Sequence, residues 1–210
     1  MHKLYFGEIG PYLDEQSFAK VYGAKKCNMQ EDCFIRDYGR VSEYRKKKID
    51  RCVRRNDKAA SLAAEMLFID NLTDWNVNYS DIEIKDNEYG KPYIVGTGNL
   101  YFNISHSGCM VMLGIADEPI GVDIQELKEM TVDITNRFYH ENECRLLSGM
   151  DNNMRDEAFF RIWTLKESFV KQNGQGLSYG MSKFDVTDYY ESRSFIMQKN
   201  DKKYAYSYWT

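Results

Sequence analysis

The centre of the chain reads CMVMLGIADEPIGVDIQ over residues 109–125. Residues 109–116 are almost entirely apolar and predict a buried strand, and residues 120–125 predict a second strand. Between them lies Asp117-Glu118-Pro119, a sequence typical of a turn. Because only this turn separates the two strands, we expect them to pair as a hairpin.

The second of these strands carries a carboxylate that a purely structural strand would avoid. Side chains alternate along a strand, so one face is apolar and the other holds Gly121, Asp123 and Gln125. A carboxylate on a core-like strand is costly unless a cation or a metal meets it. Asp123 is therefore a candidate site residue, and the alternative is a structural salt bridge to a lysine.

A helix is predicted over residues 155–172, and Gly174 follows it as a stop signal. The helical period places Lys166 inside the apolar arc, and it places Glu167 and Lys171 side by side beyond the edge of that arc. Two alternatives stay open: Lys166 extends along its apolar stem to water, and Glu167–Lys171 is an ordinary surface pair.

The remaining pattern mixes helices and strands without strict alternation. A strand is predicted near residues 4–6, a helix over residues 42–71, and two short strands at 81–85 and 92–95. Two or three strands are predicted after residue 184. This order favours an α+β fold over a doubly wound α/β fold.

Length and composition set outer limits on the class of protein. The chain has 210 residues, of which 43% are hydrophobic and 29% charged, which excludes disorder and collagen. No apolar run approaches the length of a membrane-spanning helix, and the N-terminus lacks a signal-peptide pattern, so a cytoplasmic protein is expected. The five cysteines match neither a disulfide framework nor a zinc pattern, and we expect reduced thiols.

Positive charge is concentrated in one segment, although the net charge of the chain is −4. Eight lysines and arginines lie between Arg45 and Lys58, against Asp50 and Asp57. Such a cluster attracts phosphate groups. The alternative is a solvated helix face.

Polar motifs stand on separate predicted elements in a fixed order. In chain order they are Gly90-Lys91-Pro92, Phe102–Ser107, Gly121–Gln125, Arg137-Phe138 with Glu143 downstream, and Trp163–Lys171. Each motif alone is weak, and a lone His106 is commonly a structural histidine. Together, over about residues 42–186, they resemble the 4′-phosphopantetheinyl transferases of the type that activates surfactin synthetase.

The resemblance implies a reaction, a metal and an architecture. The phosphopantetheine arm of coenzyme A would pass to a serine of an apo acyl or peptidyl carrier protein, releasing adenosine 3′,5′-bisphosphate. The metal would be Mg²⁺. The fold implied is two similar α+β subdomains related by a pseudo-two-fold axis, at residues 1–106 and 107–210, with coenzyme A in the cleft between them and the chain acting as a monomer.

The resemblance also assigns roles to individual residues. Asp123, Glu167 and Gln125 would be metal ligands, and Glu143 would be the base that takes the serine proton. Coenzyme A would be bound by Lys91, Pro92, Ser105, His106, Asp123, Lys166 and Lys171, with Arg45 and Lys48 at the ribose phosphate. Lys171 would face the pyrophosphate and stabilise the leaving bisphosphate.

Gln125 departs from the family pattern, which has a second metal-binding glutamate at this position. The metal then receives one less negative charge from the protein, which predicts weaker Mg²⁺ binding before coenzyme A arrives. Two rival functions follow from single features. Gln125 suggests a catalytically weakened paralogue that binds coenzyme A, and residues 45–58 suggest a nucleic-acid-binding module. A net acidic chain without a nucleic-acid motif disfavours the second rival, and no nucleic-acid or membrane partner is expected.

Overall fold

The computed structural model describes residues 1–13, 33–129 and 134–210. The strands are β1 (His2–Glu8), β2 (Glu83–Asp86), β3 (Pro92–Val95), β4 (Tyr101–Ser107), β5 (Met110–Ala116), β6 (Gly121–Glu126), β7 (Ser194–Lys199) and β8 (Lys202–Trp209). The α-helices in these ranges are α1 (Cys33–Arg40), α2 (Glu43–Arg51), α3 (Arg55–Asn71), α4 (Thr135–Phe138), α5 (Glu141–Ser148), α6 (Asn152–Asn173) and α7 (Tyr190–Arg193).

Two antiparallel three-stranded sheets have the same strand order. The first sheet is ordered β1-β5-β4 and the second β6-β8-β7. In each sheet the strand that comes last in the chain is central, and the strand that comes first in the chain forms one edge. Helix α3 packs on the first sheet and helix α6 on the second. Strands β2 and β3 form a separate hairpin. The repeated order agrees with the prediction of two similar α+β subdomains.

The predicted hairpin between residues 109–116 and 120–125 is wrong. Strand β5 is the central strand of the first sheet, and β1 and β4 occupy both of its edges, so it has no free edge for β6. Residues 117–120 instead carry the chain into the second sheet, where β6 pairs with β8. The predicted division between residues 106 and 107 falls inside β4, one residue before its end. Strand β4 pairs with β5, and the change of sheet comes after Ala116.

The single helix predicted over residues 42–71 is two helices. Helix α2 starts at the cap residue Ser42, whose hydroxyl accepts from the Arg45 N–H, and Cys52 after it has extended backbone. Helix α3 then folds back, so that Ile49 of α2 and Leu62 of α3 are buried in one apolar cluster. Burying both helices on the same cluster outweighs the continuous helical pattern.

A shared apolar core joins the two sheets. Met110 and Met112 of β5 pack with Val122 and Ile124 of β6 and with Tyr204 of β8, all fully or almost fully buried. The two halves therefore bury one common surface. None of the helices in the described ranges is long and apolar enough to cross a bilayer.

Gly121 marks the point where β6 and α6 come closest. A Cβ atom at this position would lie 2.0 Å from the Ser168 carbonyl oxygen and 2.3 Å from the Gln172 nitrogen, both backbone atoms of α6. Backbone atoms of a packed helix cannot move aside as a flexible side chain does. Only glycine fits this contact.

We expect Gly121→Ala to lower the free energy of unfolding by about 3 kcal/mol or more, since it forces α6 away from β6. Gly39→Ala in α1 is the matched control, because nothing lies within 4 Å of its added Cβ. That helical alanine should stabilise the protein by about 0.5–1 kcal/mol. Urea titrations of both variants measure the difference, and equal stability of the two would contradict the close approach.

Candidate active site

Side chains rather than backbone groups connect the neighbouring strands β4 and β6. These strands belong to different sheets and run parallel, and alternate polar side chains of β4 accept hydrogen bonds from alternate N–H groups of β6. The three bonds are Val122 N–H to Asn103 Oδ1 (2.9 Å), Ile124 N–H to Ser105 Oγ (3.4 Å) and Glu126 N–H to Ser107 Oγ (2.9 Å). We call Asn103, Ser105 and Ser107 the side-chain ladder.

The ladder also orients the polar face of β6. The Ser105 hydroxyl donates to Asp123 Oδ1 at 2.7 Å, and the Ser107 hydroxyl donates to Gln125 Oε1 at 3.3 Å. Each hydroxyl therefore accepts from the backbone of β6 and donates to a side chain of β6. The strand and its two polar side chains are held by the same groups.

Helix α6 brings two further charged groups to this place. Lys171 Nζ lies 2.6 Å from Asp123 Oδ1 and 3.0 Å from Ser105 Oγ. Burial, and secondarily the charge of Asp123, raise the pKa of Glu167. Asp123 from a strand and Glu167 from a helix line one cavity, as their predicted association requires.

These groups line a cavity of about 320 Å³ between the two halves. Its polar lining consists of Ser105, His106, Asp123, Gln125, Glu167 and Lys171, and Trp163 and Ile104 complete it. Desolvation of the ring inside the cavity, and secondarily the Lys171 charge, lower the pKa of His106, although the residue is exposed, which favours the neutral imidazole at neutral pH. A neutral imidazole offers both a donor and an acceptor to a ligand.

The lining fits a divalent metal. Asp123 is 1% exposed, and among the described residues its Oδ2 atom has no hydrogen-bond partner. A buried carboxylate oxygen without a partner is unfavourable unless a ligand completes it. Within the described ranges no three His, Cys, Asp or Glu residues gather around one point. Two carboxylates and an amide suit Mg²⁺, which takes the rest of its shell from water and phosphate.

A second cavity of about 260 Å³ adjoins the first and is mostly apolar. Glu167, Lys171 and Ile104 line both cavities. The remaining lining of the second is formed by Tyr89, Gly90, Lys91, Pro92, Asn103, Val170, Gly174 and Gly176. The predicted Gly-Lys-Pro motif therefore lies at the site.

The Lys91 ammonium donates its hydrogen bonds to backbone carbonyls of the protein, although the residue lines the cavity. Its Nζ donates to the carbonyls of Gln172 (3.0 Å) and Ile120 (3.3 Å), and burial lowers the pKa of Lys91 to about 8. Asn87 donates to the carbonyl of Gly174 at 3.1 Å. The turn before β3 thereby satisfies carbonyls at the C-terminal end of α6, which have no partner within the helix.

Lys166 and Glu143 lie elsewhere. Both are 0% exposed, with Lys166 Nζ 2.6 Å from Glu143 Oε1 and 2.7 Å from the Phe184 carbonyl. The Glu143 carboxylate also accepts from the N–H groups of His140 and Val186. Burial raises the pKa of Glu143 against the opposing effect of Lys166. Neither side chain lines the two cavities.

The two best-aligned residues of the basic segment are engaged in ion pairs. Arg45 pairs with Glu65, and these side chains are 9% and 0% exposed. Lys48 pairs with Asp86 at 2.8 Å and lies over the ring of Tyr44. Neither lines the two cavities, although Lys48 is partly exposed.

Sequence reasoning gave no role to Asn87, Asn103 or Ser107. A signal existed for the last two, because polar residues at 103, 105 and 107 alternate with a period of two. Such alternation places all three on one face of a strand. Nothing local indicated that this face meets another strand.

Comparison with known proteins assigns the family. Residues 29–118 match a model described as 4′-phosphopantetheinyl transferase, N-terminal, and residues 119–210 match the 4′-phosphopantetheinyl transferase superfamily. The 4′-phosphopantetheinyl transferase gsp of Aneurinibacillus migulanus is 33% identical over 164 residues, 78% of this chain and 68% of the relative. The chain belongs to the 4′-phosphopantetheinyl transferase superfamily.

Two relatives from Bacillus subtilis are aligned over a shorter region. The transferase ffp is 35% identical and the transferase Sfp of strain 168 is 33% identical, each over 147 residues. These alignments cover 70% of this chain and 66% of each relative. The chain thus spans slightly less than two thirds of their length.

We expect Lys166→Met to destabilise the ligand-free protein by about 3–5 kcal/mol, because Glu143 stays buried without its partner. The double variant Glu143→Leu/Lys166→Met should recover most of this loss. Lys171→Met should cost less, since Lys171 is partly exposed and water can replace it at Asp123. Thermal unfolding of the three variants tests this, and a larger loss for Lys171→Met would contradict the assignment of the two lysines.

Proposed function

We propose, from family membership and the geometry of the first cavity, that the protein transfers the 4′-phosphopantetheine arm of coenzyme A to a serine of an apo carrier protein. Adenosine 3′,5′-bisphosphate is the second product. The observation that carries the proposal is the convergence of Asp123, Glu167 and Lys171 in a cavity between the two halves. We further propose that the reaction depends on Mg²⁺ and that the chain acts as a monomer in the cytoplasm.

The charge of the reacting phosphate determines what the residues do. Attack on this phosphorus increases negative charge on its oxygens, and a bound Mg²⁺ supplies the compensating charge. Asp123 and Glu167 would hold the ion, with Asp123 offering the unpartnered Oδ2 atom. Gln125 would contribute its amide oxygen or orient a water.

Lys171 would act on the pyrophosphate. Its side chain lines both cavities, so its ammonium can reach a phosphate group that lies between them. A lysine contributes a compact charge that stabilises the leaving bisphosphate. His106 would supply an imidazole N–H to the same oxygens. Ser105 could donate to them only in place of its bond to Asp123 Oδ1.

The serine proton needs an acceptor, and the resemblance gives this role to Glu143. Both oxygens of Glu143 are engaged by Lys166 and by backbone N–H groups, so this role requires the Lys166 pair to open. Glu167 lines the cavity, and burial, with the charge of Asp123, raises the pKa of its carboxyl. Its oxygen that does not hold the metal would be the alternative acceptor. We propose that Glu143 acts mainly by holding Lys166.

Coenzyme A would extend from the first cavity into the second. The apolar second cavity suits the adenine, with Pro92 and Val170 on its walls. At the ribose phosphate Lys48 can exchange Asp86 for the ligand, because the pair is partly exposed. Arg45 would first have to leave its buried pair with Glu65, so we propose Lys48 as the stronger contact.

Gln125 also supports a second candidate, a paralogue that binds coenzyme A without efficient transfer. Incubation with coenzyme A, Mg²⁺ and an apo carrier protein, followed by mass spectrometry of the carrier, distinguishes the two. A mass gain of one phosphopantetheine supports transfer. Binding of coenzyme A without this gain supports the paralogue, and salt-sensitive binding of DNA or RNA would support the nucleic-acid alternative.

We expect Asp123→Ala and Glu167→Ala each to reduce the rate of carrier modification by more than about 10³-fold, since each removes a charge that holds the metal. Circular dichroism should show the fold unchanged. Asp188→Ala, an exposed carboxylate outside the cavity, is the control. Near-normal turnover of either cavity variant at saturating Mg²⁺ would refute the assigned site.

Gln125→Glu should lower the Mg²⁺ concentration for half-maximal rate by about tenfold, because one negative charge is added beside the metal. The maximal rate should change less, since coenzyme A brings phosphate oxygens of its own. Gln198→Glu adds the same charge on β7, at the far edge of the second sheet. Identical Mg²⁺ titrations of the two variants would show that Gln125 does not act on the metal.

A further inference from the structure

Lys171 is in ion-pair contact with the carboxylate that would bind the metal. Its Nζ lies 2.6 Å from Asp123 Oδ1, in ion-pair contact, and Ser105 bonds to both groups. An ammonium against this carboxylate compensates the charge that a divalent ion would compensate. The two cations therefore compete for Asp123.

The charge balance of this chain strengthens the competition. Two carboxylates, Asp123 and Glu167, face one ammonium, and Gln125 adds no charge. The cavity then holds one net negative charge instead of the two that a third carboxylate would give. A divalent ion entering beside Lys171 is repelled at short range and attracted by fewer anions than in the family pattern.

Lys171 has an alternative position when coenzyme A is present. Its side chain is 28% exposed and lines both cavities, so its stem is not packed on all sides. A pyrophosphate between the cavities offers oxygens with more negative charge than one carboxylate. Moving to them would take the ammonium away from Asp123 Oδ1, which keeps the Ser105 hydroxyl as its donor, and would leave the negative charge of Asp123 for a metal.

We infer that Lys171 is an internal counter-ion that weakens metal binding at Asp123 until the pyrophosphate of coenzyme A draws it away, so that Mg²⁺ binds tightly only with or after coenzyme A. The inference rests on the proposed function, because it assigns the order in which that site assembles. Lys171 is proposed to assist turnover, yet the inference predicts that its loss strengthens metal binding. Removing Lys171 should improve metal binding in the absence of coenzyme A.

The test measures Mn²⁺ binding directly, by the electron paramagnetic resonance of free Mn²⁺, without a carrier protein. Lys171→Met should bind Mn²⁺ at least about tenfold more tightly than the unaltered protein. Lys171→Gln, which keeps a polar side chain, should do the same. Lys47→Met, at an exposed lysine of α2, is the matched control and should change nothing.

Saturating coenzyme A supplies the second arm of the experiment, corrected for Mn²⁺ bound by coenzyme A alone. The gap between the unaltered protein and Lys171→Met should close, because Lys171 then contacts phosphate. Equal Mn²⁺ affinity of the two proteins without coenzyme A, while Asp123→Asn weakens binding, would overturn the inference alone. If Asp123→Asn leaves Mn²⁺ binding unchanged and no carrier gains mass, the inference and the proposed function both fail.

Discussion

The side-chain ladder between β4 and β6 is the contact on which the arrangement of the two halves depends. Both strands are edges of their sheets, and edge strands present N–H groups that need partners. Asn103, Ser105 and Ser107 supply these partners without backbone pairing. Because strand faces alternate, a slip of one residue would turn Asp123 into the apolar core. The register between β4 and β6 therefore also fixes the position of Asp123 in the site.

Helix α6 is fixed against the second sheet with comparable accuracy. Gly121 allows the backbones of β6 and α6 to touch, and Trp209 donates from its indole N–H to the Leu165 carbonyl. On another face of the helix, Lys166 is tied to Glu143. These contacts fix the rotation of the helix about its axis. Two adjacent residues of the helix therefore point to different places: Lys166 is buried in protein, and Glu167 faces the cavity.

Sequence periodicity predicted the features that one element determines alone. The position of Lys166 inside the apolar arc and the stop at Gly174 follow from helical geometry and are confirmed. The α+β class and the convergence of Asp123 with Glu167 are confirmed as well. Features that depend on a partner were missed. The hairpin of 109–125 failed because β1 takes the edge of β5, and β1 lies about a hundred residues earlier in the chain.

The basic segment shows the same limit for charge. The charges can be counted from the sequence, but tertiary contacts decide whether an arginine faces water or an acid. Glu65, the partner of Arg45, lies in the next helix of the chain.

The polar groups of the cavity between the halves also have a structural role. Its polar groups are needed there for folding, since two edge strands meet without backbone hydrogen bonds. Ser105 accepts from Ile124, donates to Asp123 and contacts Lys171, so one hydroxyl serves the strand contact and the charged site together. Polar groups that join the halves thus create the place where a charged ligand can bind.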